Sequence, residues 1–321
     1  MRVVFMGTPE FSLPSLEALL SAGVEIAAVF TQPDRPAGRG RKLTPPPVKV
    51  RALERGLEVR QPERVRAADI APLSPDAAVV VAYGQYLSGK LLGVPPLGGV
   101  NVHPSLLPRW RGAAPIQRAL LAGDEETGVC TMRVAKEMDA GAILGVAAVA
   151  VGPRETSELL HDRLAEAGGR LLVQTLEQLE RNEADEREQD PTLVTWADKL
   201  TKEEAPLDWG APAAALDLRV RGLRPWPVAE TAWPGSGTKA GAGPMRIWRA
   251  YPLESEAGAS AGPGEVLGET DTPEGRGLRV RTGEGDLVLF EVQPPGGRRM
   301  AAADYLRGRS LAGGAVLGER V

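Results

Sequence analysis

Within its first thirty residues the chain lays down strand, helix and strand, and that order commits it to a parallel sheet. Val3-Val4-Phe5-Met6 is a short, wholly apolar run with the length of a buried strand, and Gly7-Thr8-Pro9 is its turn. Residues 13–22 follow with Leu16, Leu19 and Leu20 at helical spacing, and residues 26–30 form the next apolar run. Parallel neighbours need a crossover connection, and a helix supplies it. Residues 77–83, Ala-Ala-Val-Val-Val-Ala-Tyr, add a third strand apolar on both faces, and residues 98–102 a fourth that ends on His103-Pro104. In open sheets of this kind ligands meet the carboxyl ends of the strands, so the polar residues just beyond those ends matter most.

The 321 residues exceed one small domain and, at about 150 residues per domain, suggest two. Leu159, Leu160, Leu164, Leu171, Leu172, Leu176 and Leu179 recur at three- and four-residue steps and predict a helix over 157–180. The acid-rich stretch 177–190 reads as a solvated helix end and loop. After about residue 210 the character changes to many glycines and prolines, alternating stretches at 245–250 and 287–292, and turn clusters at 234–244 and 283–286. The expected architecture is α/β: an N-terminal Rossmann-like open, parallel-rich sheet with helices on both faces, plus a smaller C-terminal β-barrel of OB-like type. The boundaries are 1–200, a linker at 201–210, and 211–321.

Composition narrows the function classes. Thirty-eight Lys and Arg against forty-two Asp and Glu leave a net charge of −4, so a polyanionic ligand would need a local basic patch. A single cysteine, Cys130, cannot form an internal disulfide, and with only His103 and His161 beside it no zinc site is expected; both point to a reducing, cytoplasmic setting. The first apolar run is too short for a signal peptide, and the longest, residues 142–151, too short for a membrane span. Gly7-Thr8-Pro9-Glu10-Phe11 lacks the three-glycine spacing of a dinucleotide fingerprint, which argues against a nicotinamide enzyme.

The segment richest in chemistry is Asn101-Val102-His103-Pro104-Ser105-Leu106-Leu107-Pro108. An amide, an imidazole and a hydroxyl stand at one strand end, and the period of two puts Asn101 and His103 on the same face. Asp139, on the turn Met138-Asp139-Ala140-Gly141, offers a carboxylate. Taken singly, His103 reads equally as a packed strand-end histidine, whereas Asp139 reads first as a turn residue and Ser105 first as a turn hydroxyl. Residues 33–49 carry Arg35, Arg39, Arg41, Lys42 and Lys49 against Asp34 alone, with Pro45-Pro46-Pro47, and predict an exposed basic loop.

Together these motifs resemble the formyltransferase family that uses 10-formyltetrahydrofolate. Asn101, His103, the Ser105-Leu106-Leu107-Pro108 run and the later Asp139 carry the resemblance. With Gly7-Thr8-Pro9-Glu10-Phe11, residues 31–40, Val81-Ala82-Tyr83-Gly84 and residues 108–117, they are similar to the branch that formylates methionine on initiator tRNA. Later markers are Lys202-Glu203-Glu204-Ala205, Asp208-Trp209, Arg224-Pro225-Trp226-Pro227 and Gln293-Pro294; the departures are Pro104, where glycine is common, and the insertion at 234–244.

The resemblance implies formyl transfer to the α-amino group of methionyl initiator tRNA, with Asn101, His103 and Asp139 catalytic. His103 is either an oxyanion donor or a proton acceptor. It also implies folate contacts at Tyr83, Gly84, Gln85, Val100, Ser105, Leu106, Leu107 and Pro108, and no metal. On tRNA it implies Arg35, Arg39 as a wedge, Arg41 and Lys42 in the loop, and Arg221, Arg224 and Arg246 in the second domain. The expected protein is a monomer that binds neither DNA nor membrane. The alternatives are a formyltransferase for a small amine such as glycinamide ribonucleotide or an amino-sugar nucleotide, a formyl-folate hydrolase, and a non-catalytic tRNA-binding protein. The basic loop and second domain disfavour the small amine.

Overall fold

The amino-terminal run forms the strand Arg2–Gly7, in which Val3, Val4, Phe5 and Met6 have no exposed surface. In the computed structural model, which describes residues 1–37, 40, 42–233, 244–254, 261–307 and 315–318, it lies inside a seven-stranded sheet. Across that sheet the strands are Val59–Arg60, Glu25–Phe30, Arg2–Gly7, Ala77–Val81 and Gly99–His103, all parallel, then Glu126–Arg133 and Ile143–Ala150, antiparallel. Numbered in chain order, the five parallel strands stand 3-2-1-4-5, the doubly wound arrangement. The sheet belongs to a unit made of Met1–Ile116, Glu125–Val151 and Leu159–Asp198.

The anticipated helices form as Leu13–Ser21 and Ser157–Glu180. The long helix buries Leu160, Leu164, Leu171, Leu172, Leu176 and Leu179 and leaves Leu159 exposed. Gly168 sits inside it, where glycine costs about 1 kcal/mol relative to alanine; a Cβ there would stand 2.8 Å from Val102 Cγ1. Its absence lets the helix press directly on the strand that carries His103. The apolar stretch 142–151 becomes the edge strand Ile143–Ala150, buried at one end and alternating at the other. Among the described residues no helix is long and apolar enough to cross a membrane.

The basic segment departs from the plain loop expected of it. Arg35–Ala37 and Lys42–Thr44 pair antiparallel as a small hairpin, with Arg35 opposite Thr44. The helix Pro47–Glu54 begins before the segment ends and buries Val48. Three-residue strands of proline and charge show no alternation, so their pairing leaves no pattern in the sequence. Lys49 is tied back, its Nζ 2.8 Å from Asp34. Gln61 also donates to that carboxylate, and with Lys49 it holds Asp34 below the usual carboxylate range.

The other unit comprises Gln117–Asp124, Gly152–Glu158 and Lys199–Val321. Its strands run Glu230–Thr231, Met245–Leu253, Asp286–Gln293, Gly275–Arg281 and Val266–Thr272, antiparallel throughout, with Met300–Ala301 also on Asp286–Gln293. This is the strand-rich body foreseen from the alternating stretches. Met245, Ile247, Trp248, Val280, Leu287, Val288 and Leu289 fill its core, and the helix Ala213–Gly222 packs on the strand Met245–Leu253. The turn cluster foreseen at 234–244 lies, apart from Pro244, outside the described residues.

Candidate active site

The strand Gly99–His103 has neighbours on both sides, so its carboxyl end opens in the interior of the sheet. Asn101 stands opposite Val80 and Met132, and His103 opposite Cys130. Val100 and Val102 are buried on the other face, as a period of two requires. The Asn101 amide is half-buried and has no hydrogen-bond partner among the described residues. It is a donor without an acceptor.

His103 is 4% exposed, hydrogen-bonded through one ring nitrogen and faced by a carboxylate at the other. Nε2 lies 2.9 Å from the carbonyl oxygen of Trp110, and a carbonyl only accepts, so Nε2 carries the proton. Nδ1 lies 3.6 Å from Asp139 Oδ2. The same oxygen accepts the Gly112 N–H at 2.9 Å. Residues 110–112 thus form a strap whose first carbonyl orients the imidazole and whose third amide orients the carboxylate.

The strap is shaped by its backbone. Trp110 has φ +65°, Gly112 +120° and Asp139 +51°, all in the region that disfavours side chains. Arg111–Gly112 pairs in parallel with Trp196–Ala197, and Trp110 N–H donates to Thr195 Oγ1 at 2.9 Å. A Cβ on Gly112 would meet the Ala197 carbonyl oxygen at 2.9 Å. Gln189, buried within the stretch read as solvated loop, donates from Nε2 to the carbonyls of Asp139 and Gly141, both at 2.8 Å. None of the Trp110 carbonyl, the Gly112 amide, Thr195 or Gln189 was anticipated, because backbone groups and lone polar residues carry no motif.

The expected folate residues are distributed around this centre. Ser105 is fully buried and its hydroxyl donates to the Arg109 carbonyl at 2.7 Å, the role of a turn hydroxyl. Leu107 packs with Cys130, Met132 and Ile143, Leu106 and Pro108 are half-buried, and Val100 is held in the ladder between Val79 and Arg133. The Tyr83 carbonyl accepts from Thr8 Oγ1 and Gln32 Nε2, and burial, reinforced by Asp69, pushes its hydroxyl up to about 12. Gly84 turns the chain at φ +81°. The Gln85 amide holds a neighbouring loop, accepting from Val65 N–H and donating to the Pro62 carbonyl. Just beyond, a cavity of about 320 Å³ opens between residues 64–68 and Tyr86, Ser88 and Lys90, with Arg64 and Arg66 on its wall.

The cations expected on tRNA fall into three groups. Arg35, Lys42 and Arg246 are exposed; Arg39 and Arg41 lie outside the described residues. Arg221 is buried, its Nε 2.8 Å from Asp217 Oδ2 and its Nη1 2.8 Å from the Glu155 carbonyl. Arg224 spans Glu158 Oε2 and the Trp248 carbonyl. Both guanidinia are thus engaged within their own unit. Among the described residues no three His, Cys, Asp or Glu side chains are grouped to hold a metal.

The doubly wound sheet and the strand-rich second unit agree with what sequence comparison shows: the chain belongs to the formyl transferase family. Its formyl transferase domain is matched over residues 1–176, and the formyl transferase C-terminal domain over residues 199–310. Its similarity to the methionyl-tRNA formyltransferase of Methylococcus capsulatus is 48% identity over 317 residues, 98% of each chain. Solved structures share the fold. The N-formyltransferase from Helicobacter canadensis, in complex with folinic acid and dTDP-3-aminofucose, matches with TM-score 0.64 at 11% identity, over 89% of this chain and 98% of its own. HypX from Aquifex aeolicus, in complex with tetrahydrofolic acid, matches with TM-score 0.60 at 17% identity over 96% of this chain. The chain spans about half, 47%, of that larger protein.

Proposed function

We propose that the chain transfers the formyl group from N10 of 10-formyltetrahydrofolate to the α-amino group of methionine esterified to initiator tRNA, in the cytoplasm where translation takes place. The observation that carries this reading is the imidazole held by the Trp110 carbonyl with Nδ1 turned towards Asp139, in a chain 48% identical to a methionyl-tRNA formyltransferase.

An α-amino group titrates near 8 and the ester lowers that, so much of the nucleophile is neutral at pH 7. The amine nitrogen bonds to the formyl carbon, the carbonyl oxygen takes negative charge, and the bond from that carbon to N10 then breaks. The unpartnered Asn101 amide donates to the oxyanion; losing such a donor typically costs ~2.7–4 kcal/mol of barrier. With Nε2–H committed to Trp110, the ring works through Nδ1. It takes the proton from the new ammonium and returns it to the departing N10, while Asp139 steadies the imidazolium between the two events. The cations of the cavity beside Tyr86 suit the carboxylates of the glutamyl tail of the folate.

For the acceptor, the basic hairpin would enter the end of the acceptor stem, with Arg39 as wedge, Arg41 and Lys42 on phosphate, and Arg35 at its base. A weak first base pair is the cheapest to open, which favours the initiator. Arg246 would add phosphate contacts from the second unit.

Purified protein incubated with 10-formyltetrahydrofolate and initiator Met-tRNA is expected to yield N-formylmethionine on alkaline release, and far less with elongator Met-tRNA. Asn101→Ala, His103→Ala and Asp139→Ala should each lower turnover at least about tenfold with the fold intact. Product formed only with glycinamide ribonucleotide or an amino-sugar nucleotide, or formate released without an amine, would overturn the reading.

A further inference from the structure

We infer that Gln189 is a positioning residue for the formyl-transfer centre: it locks the Asp139 turn to the strap that orients His103. The inference rests on the site assigned above and adds to it a side chain that touches no reacting atom.

The geometry forms a closed circuit. The Trp110 carbonyl fixes His103 Nε2, and the Gly112 N–H fixes Asp139 Oδ2. Between them Arg111, itself 5% exposed, donates from Nε to Gln189 Oε1 at 3.0 Å. The two Nε2 donations of Gln189 go to Asp139 and Gly141, on either side of the turn. One buried amide thus binds the middle of the strap and both ends of the turn, and its acceptor and both donor hydrogens are used. An amide alone among the neutral side chains offers an acceptor and two donors on one rigid plane.

The chain delivers Gln189 by register. Arg187 and Ile143 exchange backbone hydrogen bonds as an antiparallel bridge, N to O at 2.9 Å one way and 2.8 Å the other. Two residues on from Arg187 lies opposite two residues back from Ile143, which sets 189 against 141. The turn needs this support. Asp139 holds φ +51°, a region a non-glycine residue leaves unless its surroundings determine it. Gly141 is pressed so closely that a Cβ would stand 2.0 Å from the Arg133 carbonyl oxygen. Without the amide the carboxylate keeps its Gly112 contact but loses the fixed turn beneath it.

The test compares Gln189→Met, which removes all three hydrogen bonds at similar length, with the isosteric Gln189→Glu, which keeps an acceptor for Arg111 and loses the donors. Each is measured for kcat and for KM of both substrates. Each is also labelled with ¹⁵N-histidine; the chain holds only His103 and His161, so a His161→Gln background leaves one imidazole to observe. Expected for both variants are a kcat lowered about tenfold or more, as loss of supporting hydrogen bonds typically gives, and both KM values within about twofold. The His103 spectrum should change from a fixed Nε2–H tautomer to an averaged one. A kcat within about twofold of the parent, or a lowered kcat with an unchanged His103 spectrum, would overturn the inference. Should Gln189→Met fail to fold, Gln189→Glu carries the test alone. Asp139→Ala runs alongside: normal turnover in that variant would sink the site assignment itself, whereas loss there with normal Gln189 variants sinks only the positioning role.

Discussion

Around His103 the work of orientation falls to main-chain groups more than to side chains. Trp110 contributes a carbonyl and Gly112 an amide, and Trp110 and Asp139 each hold a non-glycine positive φ at a cost of order 1–3 kcal/mol. Such residues persist where neighbours fix them, here Thr195 and Gln189. Gly112 is the most exacting position: at φ +120°, with the Ala197 carbonyl where a Cβ would go, alanine must shift the strap. Gly112→Ala is expected to lower kcat by at least about tenfold, by moving the N–H that holds Asp139, and to lower the melting temperature; steady-state kinetics and a thermal melt check both. Asn101 and His103 could be paired from sequence because a strand has period two, and Asp139 joined them as a nearby carboxylate and through the family resemblance. The groups that aim them were not legible, since a carbonyl is the same in every residue and Gln189 sits in an acid-rich run. The surroundings of Arg221 are hidden from sequence for a related reason. Sequence counts its charge but does not reveal Asp217 one helical turn away or the Glu155 carbonyl that together bury it.

Among the elements, runs of apolar residues and long periodic helices were readable almost to their ends, as Gly99–His103 and Ser157–Glu180 show. Val59–Arg60 and the pairing of Arg35–Ala37 with Lys42–Thr44 were not, because two or three residues hold no period and depend on their neighbours for pairing. The antiparallel strand Glu126–Arg133, beside Gly99–His103, supplies a chemical probe of the sheet. Its Cys130 has no exposed surface, and burial pushes the thiol from 9.0 up to about 11, partly offset by the Leu107 backbone and the Arg187 charge. Being the single cysteine, it should resist iodoacetamide in the native protein at pH 8 and take up one equivalent in urea. The sign for stability follows from which state loses its proton first. The unfolded chain ionises near 9, so the contribution of the thiol is complete below that pH and is lost as pH rises through about 11. In denaturant titrations the stability of the parent relative to Cys130→Val, which has no thiol to ionise, should therefore fall between pH 8 and pH 11.

At the scale of the whole molecule, a net charge of −4 means that attraction to a nucleic acid is local. The exposed cations include Arg35 and Lys42 in one unit and Arg246 and Arg249 in the other. The KM for tRNA should rise with salt, and Arg246→Ala and Arg249→Ala should each reduce the logarithmic salt slope by about one. The folate KM should stay flat. Arg221→Ala should leave the slope unchanged and lower the melting temperature, because its guanidinium is spent on Asp217; a reduced slope in that variant would return it to the interface. The pairing of residues 111–112 with 196–197 sets a timetable as well as a geometry. A ribosome that has just added residue 139 has already made Asn101, His103 and Asp139, yet the brace behind them, Gln189 and residues 195–197, is still untranslated. A nascent chain halted between those two points would carry the orienting carbonyl and amide of the strap but not the residues that hold the strap in place.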